Sequence, residues 1–272
     1  MARSHQAMTG AFTVPVEGAV LCGETRAGAT GGAKSPLVLV HGMAGERHDW
    51  DRLCNALPSS LATLRYDLRG FGASVTQQDT GFSHAEDLLA LFDALGIDRA
   101  PLAGLSMGGG IALNFALNHP ERVSRLVLIS PAMIGWEWSE EWRAIWRGIT
   151  GAARSGDMAL ARERWWNHPI FATARQSDAA GELRRSIGAY HGRQWVRDYQ
   201  RDALPDMERL HQLAMPTLLL TGELDQPDLR LIGDVIESAA PNVRRIDYPG
   251  AGHMLHLERT AEVARAIADF LR

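Results

Sequence analysis

The sequence predicts an α/β protein with a mostly parallel sheet, because short apolar runs alternate along the chain with segments of helical periodicity. Continuous apolar runs are typical of parallel strands buried on both faces, which the connecting helices then cover. Before the first such run, the segment 11–26 predicts a β-hairpin. The six predicted parallel strands lie at 36–42, 61–70, 99–106, 123–130, 214–223 and 242–250.

Helical patterns separate these runs, as a βαβ arrangement requires. Apolar residues recur at helical spacing over 83–97, where Ser83 is a candidate N-cap with Glu86 three residues later. The final RTAEVARAIADFL has the same periodicity, with Val263 and Ile267 on its apolar side. A third helix is predicted directly after the strand at 99–106, ending before a proline.

The alternation stops between Pro131 and Met215, where the chain has helical patterns only. This stretch also holds seven of the eight tryptophans. We therefore predict a core domain formed by residues 1–131 and 215–272, with an inserted helical cap over 132–214.

Composition indicates an ordinary globular protein and bounds the classes of partner. The 272 residues are 46% hydrophobic and 22% charged, and the net charge of −4 argues against nucleic-acid or anionic-membrane partners. No apolar run is long enough to span a membrane, and MARSHQAMTG lacks the apolar region of a signal peptide. Two cysteines, Cys22 and Cys54, predict a reduced cytoplasmic chain, with a single disulfide as the alternative.

A serine surrounded by glycines is the strongest candidate for catalysis. In LAGLSMGGG, Ser106 is the centre of a G-x-S-x-G motif between a predicted strand and a predicted helix. In this context the motif indicates a nucleophile elbow, a sharp turn that exposes the serine hydroxyl at a helix N-terminus. Gly104 and Gly108 would let the strand and helix backbones pass closely. The alternative is a packing turn with an idle serine.

A serine nucleophile needs a base, and the base needs a carboxylate. His253 is the candidate base because it follows the last predicted strand in a glycine-rich loop, whereas His256 is expected to be structural. Asp225 is the candidate acid because it lies just beyond the strand at 214–223. Glu223 and Asp228 are alternatives to Asp225.

Backbone N–H groups are expected to bind the oxyanion that forms on the substrate. Met107 directly follows the serine, and Met43 lies in the HGMAG loop after the strand at 36–42. Neighbouring His41, Asp67 and Arg69 are expected to hold loops rather than to react.

Five motifs, met in order from about residue 36 to the C-terminus, resemble those of the α/β-hydrolase superfamily: LVLVHGMAG, YDLRGFGAS, GLSMGGGIAL, GELDQPD and GAGHMLHLE. The resemblance implies an eight-stranded, mostly parallel sheet flanked by helices, with a helical cap after the sixth strand. It also implies the roles given above: Ser106 as nucleophile, Asp225 as acid, His253 as base, and Met43 and Met107 as oxyanion donors.

Within the superfamily, HGMAG and SMGGGIAL are most similar to enol-lactonase-like and small carboxylesterase members. A serine at the elbow argues against epoxide hydrolases and haloalkane dehalogenases, which have aspartate there. C–C bond hydrolases share SMGG but typically carry tryptophan after the catalytic histidine, where this chain has Met254.

Tryptophans in the predicted cap suggest a hydrophobic substrate pocket. Trp138, Trp142 and Trp146 share helical spacing, and Trp166 lies farther along; the alternative is that they anchor the cap. Arginines interleaved with acids are expected to be mostly solvated, although one could bind a substrate carboxylate. These arginines are Arg162, Arg164, Arg184, Arg185, Arg193 and Arg197.

The sequence therefore predicts a serine hydrolase that cleaves a carboxylic ester or lactone through an acyl-enzyme. No cofactor is expected, and no metal either, because the histidines and cysteines lack the spacing of a zinc site. Two alternatives stay open: C–C bond (diketone) hydrolysis or perhydrolysis by the same triad, and a non-catalytic small-molecule receptor.

Overall fold

One sheet forms the centre of the described chain, which comprises residues 10–29, 35–201 and 203–272 of a computed structural model. Eight of its strands form a continuous row, and a two-residue strand pairs beside them. In chain order the strands are β1 (Gly10–Val16), β2 (Ala19–Arg26), β3 (Leu37–Val40), β4 (Thr63–Tyr66), β5 (Val75–Thr76), β6 (Ala100–Leu105), β7 (Val123–Ile129), β8 (Thr217–Gly222) and β9 (Val243–Tyr248).

The row runs β1-β2-β4-β3-β6-β7-β8-β9. The first two strands are the antiparallel hairpin predicted over 11–26, and β2 also pairs antiparallel with β4. Every later pair in the row is parallel. The expected eight strands are thus present, and the short β5 is an addition that pairs antiparallel with β2.

Burial explains why the central strands are so apolar. Every residue of β3 and of β8 is buried, as is the second half of β7, because helices cover both faces of a parallel sheet. The edge strand β1 is mostly exposed and carries its one buried side chain at Val14.

Helices occupy the connections between strands. The Ser83 hydroxyl caps α2 by accepting from the Glu86 amide, as the sequence predicted, and Val263 and Ile267 are buried along α10. The helices are α1 (Asp51–Ala56), α2 (His84–Ala94), α3 (Met107–Asn118), α4 (Glu140–Arg154), α5 (Met158–Trp166), α6 (Ala180–Ala189), α7 (Arg193–Val196), α8 (Pro227–Ala239), α9 (Leu255–Glu258) and α10 (Thr260–Phe270).

The described part of the stretch 132–214 contains helices and turns, with a single bridge between Phe82 and Gln200 as its only β pairing. Polar contacts tie this stretch to the rest of the chain. Gln194 donates to the Arg69 and Gly70 carbonyls, and the Asn114 amide donates to buried Asp206 at 2.7 Å.

Two further expectations concern the rest of the molecule. Cys22 and Cys54 are both free thiols, on β2 and α1. The N-terminal stretch in which no signal peptide was predicted lies outside the described residues, apart from its last glycine. Across the described ranges, no helix has the combined length and apolar character needed to traverse a bilayer.

Candidate active site

Ser106 is the single residue between the end of β6 and the start of α3. Its backbone has φ +53° and ψ −121°, a left-handed conformation that few non-glycine residues adopt. The surrounding backbone holds it there: the Ser106 amide donates to Ile129 O at 3.0 Å, and its carbonyl accepts from the Gly110 and Ala132 amides. These contacts fix the strained turn that the G-x-S-x-G motif predicted.

The glycines around Ser106 are required by close backbone approach. A Cβ on Gly104 would lie 2.2 Å from the Gly108 carbonyl oxygen, and a Cβ on Gly108 would lie 2.2 Å from the Val40 carbonyl oxygen. Both obstacles are backbone atoms that cannot move aside. Strand β6, helix α3 and strand β3 therefore pack together only if both positions lack a side chain.

His253 and Asp225 form a buried pair at the same edge of the sheet as Ser106, because each follows the carboxyl end of a parallel strand. His253 Nδ1 lies 2.9 Å from Oδ2 and 3.1 Å from Oδ1 of Asp225. Both side chains are 2% exposed. The pairing leaves Nε2 of His253 free of the carboxylate.

The loops that carry this pair are joined by backbone contacts. The Leu224 amide donates to Ala251 O at 2.8 Å, and a Cβ on Gly222 would lie 2.0 Å from Gly252 O. The close approach of the chain after β8 to the chain after β9 brings Asp225 to His253 across 28 residues of sequence.

A small cavity has both Ser106 and His253 on its wall. No hydrogen bond joins the two side chains among the described residues; such contacts often tighten only when substrate binds. The wall comprises Gly42, Met43, Ala44, Gly45, Asp49, Leu105, Ser106, Trp165, Ile170, Phe171, Leu183, Ser186, Ile187, His253 and Met254.

The two predicted oxyanion donors lie in the loop after β3 and at the start of α3. Met43 is on the cavity wall, in a loop tightened by the Gly45 amide, which donates to Gly42 O at 3.2 Å. Met107 is the first residue of α3, where backbone N–H groups have no acceptor within the helix. Neither amide donates a hydrogen bond within the described chain.

Three neighbouring polar residues hold loops, as their positions suggested. His41 accepts from the Leu68 amide through Nε2 and lies 2.8 Å from Gly42 O through Nδ1. Asp67 accepts from the Ala73 amide and from Arg47. Arg69 forms a buried ion pair with Asp87 at 2.6 Å.

The two alternatives to Asp225 have other hydrogen-bond partners, and His256 is packed in the core. Glu223 accepts from the Gly250 amide, and Asp228 accepts from the Trp136 indole and from Ser139. His256 is buried against Trp50, with ring centroids 5.1 Å apart, and neither of its nitrogens has a partner in the described chain.

None of the four predicted substrate tryptophans lines the cavity. Trp138 and Trp142 stack on each other at 4.3 Å, and Trp146 packs edge-on against Trp165 at 5.9 Å. Trp166 lies beneath the Arg184 guanidinium at 5.0 Å. The tryptophan on the wall is instead Trp165, which is 3% exposed. Ala161, four residues earlier and also buried, marks this inward face of α5 and was the available sequence signal.

Arginines of the stretch 132–214 face other groups than the cavity. Arg162 donates to the Tyr190 carbonyl, Arg184 pairs with Glu163, and Arg193 pairs with Asp79. Within the described residues, no lysine or arginine lines the cavity.

Sequence reasoning missed two polar residues of the wall, Asp49 and Ser186. Asp49 precedes α1, and its Oδ2 accepts from the Glu46 amide at 3.0 Å. Burial raises the pKa of Asp49 to about 7; the Ser186 hydroxyl opposes this rise by hydrogen bonding, while the charges of Glu46 and Asp67 add to it. No motif marks either residue, because they meet only in the folded chain.

Within the described ranges, no three His, Cys, Asp or Glu side chains cluster closely enough to bind a metal ion. What the site does contain is a strained serine at a helix start, a buried histidine–carboxylate pair and two amides without acceptors. These groups match the needs of nucleophilic acyl transfer.

Known proteins share this architecture. Carboxylesterase YbfK of Bacillus subtilis is 29% identical over 92% of this chain and 84% of its own. Its crystal structure superposes with a TM-score of 0.80 at 25% identity, covering 97% of this chain and 92% of the other. The 2-hydroxymuconate semialdehyde hydrolase of Pseudomonas sp. CF600 is 28% identical over 88% of each chain.

An enol-lactonase from Burkholderia xenovorans has the same fold, with a TM-score of 0.79 at 23% identity over 95% of this chain and 99% of its own. A family model described as the alpha/beta hydrolase fold matches residues 35–260. That match covers the elbow, the loops of Asp225 and His253 and most of the sheet, and the chain therefore belongs to the α/β-hydrolase fold family.

Proposed function

We propose that the protein is a serine hydrolase that cleaves a carboxylic ester or a lactone through an acyl-enzyme. The observation that carries this proposal is the shared cavity: Ser106 and His253 lie on one wall, and Asp225 holds the opposite side of the His253 ring. Packing alone does not account for a serine held in a strained backbone conformation beside a buried histidine–carboxylate pair. Similarity to esterases and lactonases supports the same reaction class.

The proposed acylation begins when Ser106 Oγ attacks the carbonyl carbon while Nε2 of His253 takes the hydroxyl proton. The amides of Met43 and Met107 donate to the oxyanion. The C–O bond to the leaving group then breaks, and His253 returns the proton to the departing oxygen. Asp225 keeps the proton on Nδ1 and stabilises the imidazolium.

Deacylation repeats these steps with water. His253 takes a proton from the water molecule, the hydroxide attacks the acyl carbon, and the proton returns to Ser106 Oγ as the acid leaves. A lactone follows the same path, except that its leaving oxygen stays attached to the acyl chain and deacylation releases a single hydroxy acid.

The test combines covalent labelling with turnover. Wild type and Ser106→Ala are incubated with a small fluorophosphonate, and their intact masses are measured by mass spectrometry. Unlabelled samples of both proteins are assayed on p-nitrophenyl esters, lactones and ring-cleavage diketones. We expect one adduct on wild type, none on Ser106→Ala, and a loss of at least about 10³-fold in kcat for the variant. Near-normal turnover by Ser106→Ala would contradict the proposal.

The substrate panel also separates the alternatives. Diketone cleavage without ester turnover would assign the protein to the C–C hydrolases, to which it is also similar. Absence of both adduct and turnover would favour a receptor. One residue argues against C–C bond hydrolysis: Met254 follows the candidate base, where C–C bond hydrolases typically have tryptophan.

A further inference from the structure

The cavity wall is apolar apart from the reacting groups and one polar pair. Leu105, Trp165, Ile170, Phe171, Leu183, Ile187 and Met254 supply most of its side-chain surface. The polar pair consists of Asp49, before α1, and Ser186, on α6. The proposed mechanism uses neither residue.

The Asp49 carboxyl is held in place by its own turn. Its Oδ2 accepts from the Glu46 amide at 3.0 Å, and a Cβ on Gly45 would lie 2.3 Å from that oxygen. Its Oδ1 accepts no backbone hydrogen bond within the described chain. One carboxyl oxygen is therefore fixed by the backbone, and the other remains available to Ser186 and to a ligand.

Charge on and near the wall selects against anions. No lysine or arginine lines the cavity within the described residues, and Arg47, close to this turn, is paired with Asp67. A carboxylate on the substrate would lose its hydration without gaining a counter-charge, beside Asp49 and its acidic neighbour Glu46. A hydroxyl has no such penalty, because it can both donate to and accept from this pair.

The size of the cavity limits what can bind there. About 30 Å³ of the cavity is open to the centre of a water-sized sphere, which is room for about two water molecules, so the cavity favours a short substrate. A short substrate in this space would have its carbonyl at Ser106 and the remainder of its chain among the apolar residues and the Asp49–Ser186 pair.

We propose that Asp49 and Ser186 form a specificity site for an uncharged hydroxyl on the acyl part of the substrate. The natural substrate class is then a neutral hydroxy-substituted ester or hydroxylactone, rather than an ester or lactone that carries a free carboxylate. This inference rests on the proposed function, since it concerns the substrate of the same reaction.

The experiment compares p-nitrophenyl esters of one chain length: hexanoate, 3-hydroxyhexanoate, 6-hydroxyhexanoate and the adipate monoester. We expect one hydroxy ester to have a kcat/KM above that of hexanoate, and at least about tenfold above that of the carboxylate-bearing monoester. Ser186→Ala should lower the hydroxyhexanoate-to-hexanoate ratio of kcat/KM by about five- to tenfold, the range for one lost hydrogen bond.

A matched control and a second variant keep the test specific. Ser238→Ala makes the same chemical change at an exposed position of α8, outside the cavity. It should leave the hydroxyhexanoate-to-hexanoate ratio of kcat/KM at its wild-type value. Asp49→Asn keeps an oxygen for the Glu46 amide and removes the negative charge that the carboxyl carries above its pKa of about 7. Assayed above that pH, the variant should have a raised kcat/KM for the adipate monoester relative to hexanoate. Circular dichroism checks that each variant is folded.

The outcomes separate this inference from the proposed function. The protein could hydrolyse hexanoate but have equal kcat/KM values for the hydroxy and carboxylate esters, with the same ratio in Ser186→Ala. That result would overturn the specificity site and leave the esterase proposal standing. Failure of every ester together with absence of the fluorophosphonate adduct would overturn the proposed function, and the specificity site with it.

Discussion

His253 Nδ1 lies 2.9 Å from Oδ2 of Asp225, and both side chains are almost completely buried. This geometry gives a sharp prediction for Asp225→Asn. An amide oxygen accepts the Nδ1–H more weakly than a carboxylate does. The neutral amide also leaves the imidazolium without a compensating charge in a buried site. We expect kcat on p-nitrophenyl esters to fall by about 10³- to 10⁴-fold while the melting temperature changes little.

The neighbouring acids provide matched controls for that variant. Glu223→Gln removes a charge whose described contact is the Gly250 amide, so its kcat should stay within about threefold of wild type. A loss in Glu223→Gln as large as in Asp225→Asn would mean that the acid of the site has been assigned to the wrong residue.

Gly108→Ala tests the backbone crossing beneath the elbow. The new methyl would lie 2.2 Å from Val40 O and 2.4 Å from His41 O, so the strand and helix must separate. We expect a loss of about 2–3 kcal/mol in the free energy of unfolding, measured in urea. Gly151→Ala, on α4 with no atom within 4 Å of the added methyl, should instead gain about 0.5–1 kcal/mol.

Buried His256 predicts instability in acid. Burial, together with the charge of His253, lowers the pKa of His256 from 6.5 to about 3. As pH falls below 6.5, the unfolded chain binds a proton that the folded chain refuses until about pH 3, so the free energy of unfolding decreases across this window. At pH 5.5 the loss is about 1 kcal/mol.

His256→Leu should remove this part of the acid sensitivity, seen as a smaller drop in urea midpoint between pH 7 and pH 5. The same substitution at exposed His211 is the control and should leave the slope unchanged. Equal slopes for wild type and His256→Leu would show that His256 does not contribute.

Asp49 predicts a pH dependence of opposite sign. The pKa of its folded-state carboxyl is raised from 3.8 to about 7, chiefly by burial. Between these values the unfolded chain has lost a proton that the folded chain keeps, so the free energy of unfolding decreases as pH rises. Relative to Asp49→Asn, wild type should lose stability from about pH 4 to pH 7 and then level off. A constant difference in urea midpoint across this range would contradict the raised pKa.

Trp165→Ala tests which tryptophan limits the acyl chain. Removing this side chain enlarges the cavity, so kcat/KM for p-nitrophenyl octanoate should rise relative to acetate. Trp138→Ala makes the same change outside the wall and should leave that ratio as it is in wild type. A shift with Trp138→Ala alone would favour the original sequence prediction.

Local patterns were sufficient to predict the sheet and to single out the candidate catalytic residues. Ser106 lies inside a motif whose strand and helix are readable from the residues beside it, and the glycines announce the tight turn. Asp225 and His253 could be predicted because each directly follows an apolar run, and parallel strands end at a common edge.

The wall of the cavity could not be predicted in this way. Trp165 and Trp166 are adjacent in sequence and differ only in which side of α5 they occupy. Asp49 and Ser186 are separated by about half of the chain, and their meeting depends on how the helical stretch lies on the sheet. Such contacts arise from tertiary packing, which has no local sequence signature.

The two halves of the cavity wall come from different parts of the chain. Ser106, His253 and the HGMAG loop belong to the strand ends, where Gly104 and Gly108 admit no side chain at all. The facing side chains, from Trp165 to Ile187, come from one stretch of 23 residues that holds no member of the proposed triad. Substitutions in this stretch can therefore reshape the cavity while leaving Ser106 and His253 in place. Exchanging residues 165–187 between related chains is therefore expected to change which acyl groups fit the cavity more than it changes the groups proposed to react.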